Sequence, residues 1–292
     1  MEMTVSCMAC LLNKEEKRLQ EQTDEKKKAA YFREILSLLA EESDTGTAPY
    51  LVSRMREIYA GYFPVTDTFA PVKRYYNQLM LGMEADFCRR IEASPDPVRM
   101  ALCLARIANY IDFGANNQVT EEQLMELFAQ ADPGTVDEEE YGRFSDDLER
   151  AESFLLLADN CGEIVLDKLL IGTLKKRYPR LVCAMMVRGG HVSNDVTVED
   201  AAEVGVEAVA QVISNGTRIG GTDIGRISPE AREALEKADV ILAKGQANFE
   251  TAYGSGYNIY YLFLCKCALF TRRFGRDKFD GIFINEKQKI PL

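Results

Sequence analysis

From about residue 153 onward, short apolar runs alternate with amphipathic ones. No other feature of the chain restricts its fold as much. Phe154–Ala158 reads as a buried strand and Glu163–Tyr178 as a helix; Leu181–Val187 reads as a strand and Thr197–Val204 as a short helix. Glu207–Ile213 reads as a strand leading into a Gly-rich loop that ends at Gly225. Ser228–Ala238 has the marks of a helix start, with Ser228 as cap and Pro229 in the first turn. Val240–Ala243, Ile259–Leu264 and Gly281–Ile284 read as further strands, and Cys267–Phe274 as a helix. Strands alternating with helices imply βαβ units and a mainly parallel sheet covered on both faces, a three-layer α/β/α arrangement.

Residues 11–152 have a different pattern. Tyr31, Ile35, Leu38 and Leu39 recur at helical spacing, 72–91 and 98–111 read as helices, and Thr120 followed by Gln123 marks a capped helix start. The expected organisation is an α-helical domain over 1–150 and an α/β/α domain over 151–292. The acidic, breaker-rich stretch around Pro133–Gly134 is the candidate connection.

Charge and composition narrow the function. The net charge of −11 falls entirely within 1–150, and residues 151–292 sum to zero. An acidic chain with a neutral second half argues against nucleic acid as the main partner. The longest mainly apolar run, Ile259–Phe270, is interrupted by Lys266 and is too short to span a bilayer, so no membrane partner is expected. The first residues show no basic region followed by an apolar stretch, and the expected location is the cytoplasm, with reduced thiols for the 8 cysteines. The single histidine, His191, argues against zinc enzymes built on several His ligands.

In parallel sheets, ligands bind at the carboxyl ends of the strands. Three such ends carry chemistry here: Asp159-Asn160-Cys161-Gly162-Glu163, then Asn194-Asp195 in the loop after the second strand, then Lys244 with Asn248. Two carboxylates and an amide oxygen are hard ligands suited to Mg²⁺ or Mn²⁺. Lys244 and the N–H groups of the helix starting near Glu163 suit an anion. A cation site beside an anion site is what phosphoryl transfer requires. Each element also has an ordinary reading, since Asp159 and Asp195 suit helix caps and Lys244 a solvated loop; their coincidence at three strand ends is what carries the assignment.

These segments resemble the DUF89 family, the metal-dependent damage-control phosphatases. Ala108-Asn109-Tyr110-Ile111-Asp112-Phe113-Gly114 and Cys7-Met8-Ala9-Cys10 resemble its prokaryotic, cysteine-containing subfamily, so that the likeness runs from Cys7 to about Cys267. The resemblance implies a helical domain packed on an α/β/α domain, with a divalent ion (Mg²⁺, Mn²⁺, Co²⁺ or Ni²⁺) held by Asp159, Asn160 and Asp195. It implies that the segment Lys244–Phe249 contacts substrate, with Glu163 beside the metal pair. The implied reaction is hydrolysis of small phosphate esters, such as sugar phosphates or damaged phosphometabolites.

The catalytic assignment is therefore Asp159, Asp195 and Lys244, with Glu163, Lys244 and Asn248 binding substrate. Direct attack by a metal-activated water is preferred over an aspartyl-phosphate at Asp159, because Cys161 occupies the position where a second aspartate would assist the covalent route. The alternatives are an S-adenosylmethionine-dependent methyltransferase and a non-catalytic phosphometabolite-binding module. His191 replaces an expected proline of the subfamily. Cys7 and Cys10 with Cys265 and Cys267 are either a thiolate metal site, a redox device or packing residues. Asn109 and Asp112 either cap their own helix or line the cleft. The Gly216–Gly225 loop is either a mobile lid or an ordinary connection. Substrate identity, native metal and oligomeric state are not legible.

Overall fold

The structure, a computed structural model, describes residue 1 and residues 3–65, 69–112 and 120–288. Two compact units emerge, Met1–Thr68 and Phe69–Leu292. The first holds three helices, α1 (Val5–Arg18), α2 (Glu25–Glu42) and α3 (Ala48–Tyr62). Thr4, Asp24 and Thr47 cap them, each side chain accepting a backbone N–H of the first turn. Their apolar faces close over Tyr31, Ile35, Leu51 and Met55, all fully buried.

The second unit begins with α4 (Ala70–Gly82), α5 (Glu84–Glu92), α6 (Pro97–Ala108), α7 (Glu121–Ala129) and α8 (Glu138–Arg150). It continues through β1 (Ser153–Leu157), α9 (Glu163–Arg177), β2 (Val182–Val187), α10 (Val198–Val204), β3 (Gln211–Ser214), α11 (Pro229–Lys237), β4 (Val240–Lys244), α12 (Gly245–Ala252), β5 (Ile259–Leu264), α13 (Ala268–Phe274) and β6 (Gly281–Asn285). The division thus falls near residue 68 rather than near 150. The reason is apolar: Leu102, Leu104 and Phe144 from the helices share one core with Phe154, Leu156 and Leu242 of the sheet. The stretch 72–91 forms two helices, broken where the Met83 N–H turns back to the Met80 carbonyl (3.2 Å).

The strand order is β3-β2-β1-β4-β5-β6, with every pair parallel except β5–β6. β1 and β4 are buried along nearly their whole length, as strands covered on both faces must be. From β1 the chain winds outward to β2 and β3, then returns to place β4 on the other side of β1. The order therefore reverses between β1 and β4, and the crevice at their carboxyl ends is where such sheets bind ligands.

Candidate active site

β1 ends at Leu157, and the next residues turn across the sheet end. Ala158 N–H still bonds the Met186 carbonyl (2.9 Å) of β2, after which Asp159 and Asn160 leave the ladder. The loop after β2 folds back to meet them: Val196 N–H donates to the Asp159 carbonyl (2.9 Å), Cys161 N–H to the Asn194 carbonyl (2.8 Å), and Asn160 and Asp195 form an isolated antiparallel bridge. This main-chain stitching brings Asp159, Asn160 and Asp195 together from two strand ends. All three are buried, at 4 %, 2 % and 7 % exposure.

β4 delivers its own end to the same place. Gly245, with φ of 78°, opens α12, and a Cβ added there would lie 1.9 Å from Asp159 Oδ2. The Lys-Gly pair is thus explained locally: only a residue without a side chain lets the Asp159 carboxylate rest on the start of α12. Sequence reading treated 244–250 as a strand end and did not find α12, because Gly245–Ala252 has polar residues all round and no apolar stripe.

Beneath these carboxylates lies a polar network in the core. Asn109, at the end of α6, donates through Nδ2 to Asp159 Oδ2 (3.1 Å) and to both Glu163 oxygens (3.1 and 3.0 Å), while its Oδ1 accepts the Leu264 N–H (3.1 Å). Asn109 thus ends α6 through its backbone and gives its side chain to the cluster. Asn160 Nδ2 donates to Asp159 Oδ2 (2.7 Å) and Glu163 Oε2 (2.9 Å), and its Oδ1 accepts from Asn194 (3.0 Å). Lys244 Nζ donates to Glu163 Oε1 (2.6 Å), Asp167 Oδ1 (2.7 Å) and the Ala105 carbonyl (3.0 Å).

Three residues expected to touch substrate consequently lie deeper than that. Lys244 and Glu163 are fully buried, and each spends its polar atoms on the protein. Asn248 Nδ2 is taken by the carbonyls of Leu157, Ala158 and Lys244. The anion site expected at the start of α9 is also engaged, since the Gly162 N–H donates to Asn77 Oδ1 (2.6 Å) on α4.

Two cations that sequence reading did not single out stand beside Asp159. Arg188, next after β2, is 1 % exposed; its Nε donates to Asp195 Oδ2 (2.7 Å) and its Nη2 lies 3.7 Å from Asp159 Oδ1. Lys266, just past the end of β5, donates to Asp112 Oδ2 (2.7 Å). Both follow a strand end, and that position is the signal that would have found them. Asp112 therefore pairs across the site; Phe113 and Gly114 of the same motif lie outside the described residues.

The electrostatics are one-sided. Counted with every carboxyl ionised, Asp112, Asp159, Glu163, Asp167 and Asp195 outnumber Arg188, Lys244 and Lys266 by two among the described residues. Burial, and then the charges of Glu163 and Asp195, push the Asp159 carboxyl well above its ordinary value. Burial lowers Lys244, but Asp167 and Glu163 outweigh it and hold the amine up at about 12, so it stays charged. No group of three or more His, Cys, Asp or Glu side chains among the described residues is arranged as a metal cage. The available donors are two carboxylates and one amide oxygen, a set that suits an ion retaining several waters. A divalent cation would restore the missing charge, so the residues present fit one.

Other features are plainer. The Gly216–Gly225 loop, for which a lid and an ordinary connection were the alternatives, is held by its own bonds: Asn215 Oδ1 accepts from Gly189 (3.0 Å) and Thr217 (2.9 Å), and its Nδ2 donates to the Gly221 carbonyl (3.3 Å). His191 is exposed on the loop after β2. Cys161 is buried, and burial pushes its thiol well above its usual value, so proximity to the cluster does not ionise it. No described helix is long and apolar enough to cross a membrane.

This geometry has relatives. Residues 3–282 match the model of the damage-control phosphatase ARMT1-like domain. The chain belongs to that family. A damage-control phosphatase of Archaeoglobus fulgidus is 30 % identical over 292 residues, covering 97 % of this chain and 98 % of that protein. A damage-control phosphatase of Pyrococcus horikoshii is 28 % identical over 298 residues, covering 99 % of this chain and all of that one. The crystal structure of a DUF89 family protein from Pyrococcus horikoshii superposes with a TM-score of 0.79 at 28 % identity, covering 98 % of this chain. The family's description and the names of both relatives support a phosphatase, the leading reading of the sequence.

Proposed function

We propose that this damage-control phosphatase hydrolyses small phosphate esters, sugar phosphates or damaged phosphometabolites, with a divalent cation held by Asp159, Asn160 and Asp195. The observation that carries the reading is the convergence of these three buried side chains at the β1–β4 crevice, in a cluster where five carboxyl groups meet three cations. A divalent ion supplies Lewis-acid polarisation of the phosphoryl oxygen and lowers the pKa of a bound water. Asp159 and Asp195 orient the donor set, and one of them accepts the proton of the attacking water. Glu163 takes the Asn160 amide N–H groups, which fixes which way the Asn160 oxygen points. Lys244 acts from beneath as a fixed positive charge and locks Glu163 in place. Lys266, buried at 5 % exposure and held by Asp112, is the cation that meets the substrate phosphate.

The test is phosphate release from p-nitrophenyl phosphate and a panel of sugar phosphates. Metal-stripped protein is supplied in turn with Mg²⁺, Mn²⁺, Co²⁺ and Ni²⁺. Metal-dependent release that Asp195→Ala lowers by about 100-fold or more, while the variant keeps the wild-type circular dichroism, is the expected outcome. Folded protein that binds these esters without releasing phosphate under any metal would instead establish a binding module.

A further inference from the structure

The three cations around the carboxylate cluster are not equally committed. Lys244 Nζ donates to three acceptors, which exhausts an ammonium group. Lys266 Nζ is engaged by Asp112. Arg188 uses only Nε, and neither of its two amino groups, Nη1 and Nη2, has a hydrogen-bond partner, although both are closed off from solvent. Charged donors left unpaired in a protein interior are strongly disfavoured. Their position is nonetheless fixed by the backbone: the Arg188 N–H bonds the Val196 carbonyl (2.9 Å), and Gly189 N–H bonds the Thr217 carbonyl (2.8 Å) and Asn215 Oδ1 (3.0 Å). The guanidinium thus lies beside Asp159 and Asp195 with the N–H groups of Nη1 and Nη2 unspent. Its neighbours already accept what geometry allows, since Asp159 Oδ1 at 3.7 Å is beyond hydrogen-bond distance.

A planar fork of donors matches the oxygens of a tetrahedral oxyanion, and pairs with phosphate in a bidentate manner where an ammonium makes a point contact. We infer that Arg188 receives the phosphoryl group of the substrate through Nη1 and Nη2, and holds the phosphate product after hydrolysis. The inference rests on the phosphatase reading above and assigns it a residue. A phosphoryl group seated there gives both buried donors an acceptor. This explains why a charged side chain stands at 1 % exposure at a strand end.

Inorganic phosphate is the probe. It is titrated calorimetrically into Mn²⁺-loaded wild type, Arg188→Lys and Arg188→Gln, and its inhibition of p-nitrophenyl phosphate hydrolysis is measured alongside. Both variants should bind phosphate roughly 10- to 100-fold more weakly, the factor that a lost hydrogen bond to a charged group corresponds to. KM should rise by more than kcat falls. Mn²⁺ binding without phosphate should change by a smaller factor than phosphate binding. Undiminished phosphate binding in Arg188→Lys overturns the inference, as does a loss of Mn²⁺ affinity equal to the loss of phosphate affinity, which would make Arg188 a support for the carboxylates only. A wild-type crystal with orthovanadate needs no variant to fold. An oxygen within hydrogen-bond distance of Nη1 or Nη2 is required, and an oxyanion seated elsewhere in the site overturns the inference. Wild type that releases no phosphate from any ester fails the broader reading and takes this inference with it. Active wild type with an indifferent Arg188 fails the inference alone.

Discussion

Gly245 shows how tightly single positions are determined in this site. Its φ of 78° and the 1.9 Å between a hypothetical Cβ and Asp159 Oδ2 act together. In Gly245→Ala the backbone conformation alone costs about 1–2 kcal/mol, and the methyl group must push the carboxylate off α12. The expected result is a folded protein whose hydrolysis falls by about 100-fold, the scale of an ångström-sized misplacement of a catalytic group. Near-normal activity would show that the Asp159 carboxylate does not need its present seat. The residue types at this scale were legible in the sequence: Asp159, Asn160 and Asp195 follow strands, and the strands were readable from their apolar runs. What pairs with them was not. Glu163 and Lys244 form a fully buried ion pair across 81 positions of chain, and no local pattern states whether a charged side chain meets solvent or a partner in the core.

At the scale of elements, α9 is the keystone. It starts at the β1 turn, carries Glu163 in its first turn and Asp167 one turn on, and both meet Lys244 from β4. Its amphipathic signal is absent because residues 163–167 are buried on every side and only its last turn is exposed, so length and flanking strands located it rather than periodicity. α12 escaped notice for a related reason, and the α4–α5 break because Met83 is apolar and fits either pattern. The Asp167 carboxyl is the titratable consequence of this packing. Burial, opposed by Lys244 and reinforced by Glu163, pushes it up to about 7. A carboxyl raised in the folded state contributes stability that is fully present below its ordinary value and is lost as pH rises through the raised one. In metal-free protein, wild type should therefore lose roughly 1–4 kcal/mol relative to Asp167→Asn between pH 4 and pH 8, read from urea midpoints of both proteins at each pH. A difference that is flat with pH would mean that Lys244 holds Asp167 ionised throughout.

The whole molecule combines a small helical unit with a large α/β unit, and the charge deficit lies wholly within the second. Sequence placed the boundary near 150 because helical grammar stops there, yet the boundary is set by which apolar faces share a core, and Leu104 of α6 belongs to the same core as Leu242 of β4. The same division predicts how the protein responds to metal. An ion that binds the folded site alone stabilises by mass action, about 2.7 kcal/mol at 100 times its dissociation constant. That corresponds to a rise in Tm of roughly 5–10 °C for a unit of this size. In calorimetric melts with Mn²⁺, the rise should appear in the transition of the unit comprising Phe69–Leu292 and not in that of Met1–Thr68, should vanish on adding a chelator, and should be absent in Asp195→Ala. If both transitions rise together, the two units unfold as one and the ion stabilises the whole chain. If Asp195→Ala rises as much as wild type, the ion sits elsewhere, and the missing charge of the cluster is supplied by protons on its carboxylates instead.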